Sequence, residues 1–243
     1  MNIHKSVIIE DGAKIASDVK IGPFCHIGKD VELESGCMLE SNVILKGKLQ
    51  VEKDVRIFSF TAIGHENSNI KVGKNTHIRE FTQIGSQINE DHNNTILIGE
   101  NNFIMAYVQI LNGVELGDFC IITNAVRLYE NVKCDERVIV GGLSTIEKDN
   151  KIGTGVMIGG ATVVDKDIPP FTLIEGNKAD IKGLNIIGLR RRLENKEDIE
   201  EIKAVYKKIL IDKVDKKLAA EISKTHKNEF IKLFTSFIAD SNL

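Results

Sequence analysis

The most constraining feature of this sequence is a six-residue spacing of aliphatic side chains. From Ile3 to Ile63 every sixth residue is Ile, Leu or Val, and the spacing returns from Ile98 to Val164 with Cys134 as its one non-aliphatic member. A period of six fits neither the 3.6-residue turn of a helix nor the two-residue alternation of an amphipathic strand. It is typical of short strands joined by tight turns, which wind into stacked coils with these side chains inside.

The coils should be triangular, because three repeats of about six residues complete one turn of a prism. Successive coils then stack at the ordinary distance between neighbouring strands. Glycine often directly follows the aliphatic residue, as at Gly28 and Gly73. We expect glycine to supply backbone freedom at the corners of the prism.

The limits of the repeat are also visible. Polar segments at 65–71 and 87–95 break the spacing and predict loops that leave the coils. Pro169 and Pro170 follow the last repeat, and proline cannot donate a hydrogen bond to a further strand. The sequence therefore predicts coils from about Ile3 to Ile168.

The end of the chain has a different pattern. After Asn185, apolar residues three and four positions apart predict three short amphipathic helices, in segments that contain Ile202, Leu218 and Phe234. We therefore divide the chain into a β-helical domain, residues 1–184, and an α-helical domain, residues 185–243. The helices are too short to bury much surface alone, so they either cap the last coil or pack on a neighbouring subunit.

Composition excludes several classes of partner. The formal net charge is −3 and charges of both signs are interspersed, so nothing favours nucleic acid or an anionic membrane. No apolar run approaches eighteen residues, which predicts no membrane span. The segment from Met1 to Ser6 lacks the apolar region of a signal peptide.

The four cysteines predict a reducing compartment. None belongs to a CxxC pair, none has the histidine spacing of a zinc site, and all fall on core positions of the repeat. We therefore expect them to be buried and reduced, which places the protein in the cytoplasm. We predict neither a metal nor a cofactor.

Five short segments carry a more specific signal. They are Ile21-Gly22-Pro23-Phe24, Ile78-Arg79-Glu80, Ile168-Pro169-Pro170-Phe171, Glu175-Gly176-Asn177 and the run from Asn185 to Arg192. In this order they resemble the UDP-N-acetylglucosamine O-acyltransferases of lipid A biosynthesis, a family of hexapeptide-repeat transferases. The resemblance implies an all-β left-handed parallel β-helix with a C-terminal α-helical tail. It also implies a homotrimer with active sites between subunits, acyl carrier protein as acyl donor and a UDP-sugar as acceptor.

The residues at the family's catalytic position differ here. The family's general base is the second His of a His-x-x-His-Asp segment, and Gln109 and Asn112 stand where the two histidines should be. A neutral amide cannot accept a proton usefully at pH 7. Other positions of the family motif depart as well, among them two that would contact the substrate. A Gly-His pair whose Gly amide serves the oxyanion is replaced by Glu130-Asn131, and a sugar-contacting His by Gly85.

A column of polar residues begins at the position of the missing base. Asn112, Glu130 and Lys148 are eighteen residues apart, so the coil should stack them on one face. In one interpretation Glu130, flanked by Lys148, takes over proton transfer, although an ammonium neighbour lowers the pKa of a carboxylate and weakens it as a base. In the other the column is a surface ladder with a Glu–Lys pair worth about 0–1 kcal/mol.

Other positions of the resemblance are retained. Asn185, Arg191 and Arg192 stand where the family binds nucleotide phosphates, and Gly160 and Asn177 lie near its acyl channel. The candidate catalytic residues are therefore Asn112 and Glu130. The candidate substrate-binding residues are Gln109, Asn131, Lys148, Gly160, Asn177, Asn185, Arg191 and Arg192.

Two functions remain open at this point. One is an acyltransferase for a UDP-activated amino sugar with altered chemistry or acceptor, since an amine attacks a thioester more readily than a hydroxyl does. The other is a catalytically silent paralogue that binds a nucleotide sugar or a protein partner. Arg191 has a competing structural interpretation, in which it pairs with an acidic residue of the tail such as Glu194 or Glu197.

Overall fold

The computed structural model describes residues 2–85, 95–193, 195–211 and 214–242. Up to residue 184 these residues form short strands separated by turns, and the strands stack into three sheets. The first sheet has eleven strands, in the order Asn2–Ile3, Lys20–Ile21, Met38–Leu39, Arg56–Ile57, His77–Ile78, Phe103–Ile104, Ile121–Ile122, Ile139–Val140, Met157–Ile158, Thr172–Glu175 and Asp180–Leu184.

The other two sheets complete the prism. The second sheet has nine strands, Ile8–Ile9, His26–Ile27, Ile44–Leu45, Ala62–Ile63, Gln83–Ile84, Gln109–Ile110, Arg127–Leu128, Thr145–Ile146 and Val163–Val164. The third sheet has eight strands, Lys14–Ile15, Val31–Leu33, Lys48–Val51, Asn69–Val72, Thr95–Ile98, Glu115–Leu116, Lys133–Cys134 and Lys151–Ile152. Among the strands up to Val164, paired strands are therefore three places apart in the sequence, while the last strand, Asp180–Leu184, pairs antiparallel with Thr172–Glu175.

The pairing confirms a parallel β-helix built on the six-residue spacing. Ile104 pairs with Ile122 in parallel register, and Ile110 pairs with Leu128 in the same way. All four side chains are fully buried. The first coil differs from the prediction, because Ile9 is exposed. This coil lies at the open end of the stack, where no further coil covers its side chains.

The two breaks in the spacing appear as insertions between paired strands. Paired residues are eighteen positions apart for Ile104 and Ile122, twenty-one for Ile57 and Ile78, and twenty-six for Ile78 and Ile104. The first insertion therefore adds three residues and the second adds eight, while the register of the core is kept. Residues 86–94, which make up most of the second predicted loop, lie outside the described residues.

Glycine has a different role at several corners from the one predicted. Many corners take a positive φ at a residue other than glycine, for example Phe81 at 58° and Tyr107 at 61°. By contrast, a Cβ atom on Gly73 would lie 2.6 Å from the carbonyl carbon of Gly99 in the next coil. At this position glycine is needed for the close approach of neighbouring coils, not for an unusual backbone conformation.

The tail contains one α-helix more than predicted. Its helices are α1 (Ile186–Arg190), α2 (Lys196–Tyr206), α3 (Lys216–Thr225) and α4 (Glu229–Asp240), with a π-helical segment at Lys207–Ile211. The short α1 forms because the Asn185 side chain accepts a hydrogen bond from the N–H of Gly188. In the described residues no helix has the length and apolar composition needed to cross a bilayer.

The tail packs on the last coil of its own chain. Phe171, from that coil, belongs to the same buried cluster as Leu189, Ile202 and Phe234. Its ring centroid is 5.5 Å from that of Phe230. Capping of the last coil, one of the two placements left open by the sequence, is therefore observed within the chain.

The cysteine thiols should be chemically inert in the native protein. All four are free and buried, and burial raises the pKa of Cys37 to about 11 and that of Cys120 to about 12. A thiol of pKa 11 is ionised to about one part in 10³ at pH 8, and the thiolate is the nucleophile. We expect no reaction with an aromatic disulfide reagent at pH 8 until the protein is unfolded in guanidinium. Rapid labelling of the native protein would contradict this burial.

Candidate functional site

The column predicted from the eighteen-residue spacing is present at the edge between the second and third sheets. The N–H of Asn131 donates to the carbonyl oxygen of Asn112 at 3.0 Å. The N–H of Asp149 donates to the carbonyl oxygen of Glu130 at 2.9 Å. Asn112, Glu130 and Lys148 therefore occupy the same turn position in three successive coils. The structure brings these three predicted residues together.

The side chains of this column differ in exposure. Asn112 is buried, with 4% of its surface accessible, Glu130 is partly buried and Lys148 is exposed. Among the described residues no ion pair joins Glu130 to Lys148, so the surface ladder does not form the Glu–Lys contact that one interpretation expected. The carboxyl group of Glu130 lies at the position of Asn112 in the following coil.

Gln109 lies on the adjoining face of the second sheet, where it is paired with Arg127. Arg127 Nε donates to Gln109 Oε1 at 2.7 Å, and Arg127 Nη1 donates to the hydroxyl oxygen of Tyr129 at 3.3 Å. Sequence reasoning missed both Arg127 and Tyr129. The signal that could have revealed Arg127 is its position eighteen residues after Gln109.

Asn131 contributes to contacts within the column. Its backbone adopts a positive φ of 58°, and its Nδ2 donates to Asp149 Oδ1 at 2.9 Å. A Cβ atom on Gly113 would collide with the amide oxygen of Asn131. The resemblance places an Asp of the family motif at the position of Gly113, so this chain lacks that carboxylate at the turn.

Gly160 and Asn177 lie at a second edge, between the first and second sheets. Gly160 follows the strand Met157–Ile158, and Asn177 follows its neighbour Thr172–Glu175. Both residues are exposed. They flank the second sheet on the side opposite to the Asn112 column.

Asn185 and Arg192 lie at the third edge, between the third and first sheets. Arg192 Nη2 forms an ion pair with Glu136 Oε1 at 2.6 Å. Its guanidinium also lies 5.6 Å from the ring centroid of Phe171 and 5.2 Å from that of Phe230. Asn185 Nδ2 donates to the carbonyl oxygen of Gly155 at 3.0 Å. In this chain both side chains hold the tail against the β-helix.

Arg191 differs from its neighbour because it is exposed at the end of α1. Within the described ranges it has no ion-pair partner, and Glu197 does not contact it. Glu194, the other acidic partner suggested by the sequence, lies outside the described residues. Arg191, like the neighbouring Arg190, is thus a tail arginine whose guanidinium is accessible to a ligand.

The predicted residues therefore fall into three groups on three edges of one subunit. One chain alone does not bring the Asn112 column, the Gly160 and Asn177 pair, and the tail residues into one pocket. In the part of the chain that the structure describes, no three His, Cys, Asp or Glu side chains are arranged to hold a metal ion.

Family comparisons match most of the chain in three segments. Residues 167–243 match the family described as Udp N-acetylglucosamine O-acyltransferase, domain 2. Residues 95–129 match the bacterial transferase hexapeptide family, and residues 3–97 match the GMPPB C-terminal domain. The tail and the repeats are therefore both recognised.

Relatives and solved structures match over nearly the whole length. The acyl-(acyl-carrier-protein)–UDP-N-acetylglucosamine O-acyltransferase of Aliarcobacter butzleri is 40% identical, over 99% of this chain and 96% of the relative. The structure of LpxA from Acinetobacter baumannii is 31% identical with a TM-score of 0.92, covering 100% of this chain and 98% of its own. The UDP-N-acetylglucosamine acyltransferase structure from Campylobacter jejuni is 32% identical with a TM-score of 0.83, covering 99% and 97%. This chain belongs to the family of acyl-(acyl-carrier-protein)–UDP-N-acetylglucosamine O-acyltransferases.

Proposed function

We propose that the protein is an acyltransferase that uses acyl carrier protein thioesters and acts on a UDP-activated amino sugar through an amine acceptor. The observation that supports this most is that the chain matches the family over nearly its whole length but has amide side chains at Gln109 and Asn112. The retained positions Asn185, Arg191 and Arg192 are those that the resemblance associates with nucleotide phosphates. Asn112 takes the place of the general-base His.

The chemistry of an amine acceptor suits such a site. The amine nitrogen attacks the thioester carbonyl carbon, the carbon–sulfur bond breaks, and the carrier leaves as a thiol once it has received the proton lost by nitrogen. A neutral amine is a stronger nucleophile than a hydroxyl, so its attack depends less on proton removal in the transition state. In this proposal Glu130, one coil from Asn112, accepts the proton from nitrogen after the attack and passes it to the departing thiolate.

Acceptor preference tests this proposal directly. We expect thiol release with a 3-amino analogue of UDP-N-acetylglucosamine to exceed that with the 3-hydroxyl compound by about 10²-fold, the lower range of what a general base contributes. Glu130→Gln should slow the amine reaction, while Glu147→Gln, in the next coil, is the matched control. Equal rates with both acceptors would contradict the preference.

The active assembly is proposed to be a homotrimer of left-handed β-helices in the cytoplasm. The supporting observation is that the predicted residues lie on three different edges, so one site can collect them only if a neighbouring copy supplies one group. The division into residues 1–184 and 185–243 belongs to the same proposal, supported by a last strand that ends at Leu184 and a first helix that begins at Ile186.

Assembly has a simple measurement. Light scattering at micromolar concentration should give about 81 kDa, three times the 27.0 kDa of one chain. A mass of 27.0 kDa at that concentration would contradict a site shared between subunits.

A catalytically silent paralogue is the second candidate. It is favoured by the contacts within the site, because Gln109 accepts from Arg127 and Asn131 donates to Asp149, so groups that would face a substrate have partners in the chain. In that case UDP-sugars would bind while neither acceptor released thiol. The acceptor assay therefore separates the two functions.

A further inference from the structure

The contacts of Arg127 show that its guanidinium is fixed in one orientation on the face beside the Asn112 column. Its Nε donates to Gln109 in the preceding coil and its Nη1 to Tyr129 in its own coil, at 2.7 and 3.3 Å. The guanidinium carbon lies 5.8 Å from the ring centroid of Tyr129. An exposed arginine held at two points loses less side-chain entropy on binding than one that is free to rotate.

Most of the donors of this guanidinium remain available. A guanidinium has about five N–H donors, and the described residues accept two of them. The Tyr129 hydroxyl oxygen accepts a hydrogen bond from Arg127, so its own O–H is still available as a donor. Arg127 itself is exposed.

Two carboxylates lie near Arg127 in the sequence or in the next coil, but among the described residues neither forms an ion pair with it. Glu130 follows Tyr129 in the sequence, and Glu147 occupies the position of Tyr129 in the next coil. Elsewhere the same protein does form such pairs, between Arg79 and Glu80 and between Arg192 and Glu136.

We propose that Arg127 and Tyr129 form a binding site for an anionic oxygen group of a substrate, either a carboxylate or a phosphate ester. This inference rests on the proposed function, because it places the group on one of the two substrates of acyl transfer. A guanidinium binds such groups through paired, charge-assisted hydrogen bonds. The same positive charge makes this face unsuitable for a protonated base, which is consistent with Gln109 and Asn112 in place of imidazoles.

The anionic group can come from either substrate. On the acceptor it would be a carboxylate on the sugar ring, so the acceptor would be a UDP-uronic acid. On the donor it would be the phosphodiester that links the pantetheine arm to the carrier protein, for which free phosphopantetheine stands in as a probe. Both sources present oxygens that match the guanidinium edge and the Tyr129 hydroxyl.

Paired probes distinguish the two sources by calorimetry on the full-length protein. UDP-glucuronic acid is compared with UDP-N-acetylglucosamine, and phosphopantetheine with pantetheine. We expect Arg127→Gln to weaken the binding of either UDP-glucuronic acid or phosphopantetheine by about tenfold or more, and that of the counterpart without the carboxylate or phosphate by less than about twofold. Tyr129→Phe should reproduce part of this loss. Arg137→Gln, which removes an exposed arginine that also stacks on a ring, is the matched control and should change neither.

A second readout keeps this inference separate from the proposed function. The Nε–H signal of Arg127 in a nitrogen–proton spectrum is assigned as the signal that is lost in Arg127→Gln. In the wild-type protein we expect this signal to shift on addition of UDP-glucuronic acid or phosphopantetheine, but not on addition of UDP-N-acetylglucosamine or pantetheine. If an anionic probe shifts it while UDP-N-acetylglucosamine does not bind at all, the anion site stands and the proposed acceptor class fails. If UDP-sugars bind but Arg127→Gln affects both members of each probe pair equally, or affects neither, the anion site is wrong and the proposed function is untouched. If no anionic probe shifts the signal, the inference is overturned.

Discussion

With a hydroxyacyl carrier-protein thioester and UDP-N-acetylglucosamine, the protein is expected to turn over about 10²–10⁴-fold more slowly than its relative from Aliarcobacter butzleri. The reason is that the 3-hydroxyl must lose its proton as it attacks, and position 112 offers a neutral amide. Thiol release measured for both proteins under the same conditions gives the comparison. Turnover on the order of 1–10³ s⁻¹, the usual range for enzymes, would show that Asn112 does not disable hydroxyl transfer.

Restoring one histidine should not recover this activity. In Asn112→His the new imidazole would face a site in which Arg127 still contacts Gln109 and Glu130 still occupies the next coil. A nearby guanidinium disfavours the imidazolium that a general base must become. Gly85 also lacks the sugar contact that the resemblance associates with its position. Full recovery by Asn112→His alone would mean that these other departures are neutral.

The second large effect is a difference between the adjacent residues Arg191 and Arg192 in what their replacement by alanine changes. Arg191→Ala should weaken UDP-sugar binding by about tenfold, because an exposed guanidinium forms charge-assisted bonds with a diphosphate and 1.4 kcal/mol corresponds to one decade. Thermal stability should be unchanged, since the described residues offer Arg191 no ion-pair partner. The affinity should also fall with added salt, which screens part of this attraction.

Arg192→Ala should have the opposite profile. It removes the ion pair with Glu136 and the contacts with two aromatic rings, so the protein should be destabilised by about 1–3 kcal/mol. Glu136→Gln keeps the shape of the partner and should cost less. Calorimetric melting and UDP-sugar titration of both arginine variants provide the test. A loss of affinity in Arg192→Ala with unchanged stability would show that Arg192 contacts the ligand itself.

The coils could be predicted from the sequence because the strands up to Val164 pair with strands about one coil away, so a local period fixes the register. The same arithmetic placed Asn112, Glu130 and Lys148 in one column. It could not show that Gly73 is needed for close approach of the coils, because that depends on the distance to Gly99.

The rest of the candidate site could not be read from spacing. Gln109 was identified only by comparison with the family's histidines. Its contact with Arg127 depends on the conformations of two side chains in neighbouring coils, which the spacing does not determine. The tail has no repeat that fixes its direction on the β-helix. The contact between Arg192 and Glu136, fifty-six residues apart, therefore emerges only when the tail is folded onto the last coil.

Titration of the wild-type protein with UDP-N-acetylglucosamine tests most directly whether a family member without the base still recognises its nucleotide sugar. We expect saturable binding that weakens with salt, and a loss of about tenfold in Arg191→Ala. No binding to the wild type at millimolar ligand would contradict the retention of a nucleotide-sugar site in this chain.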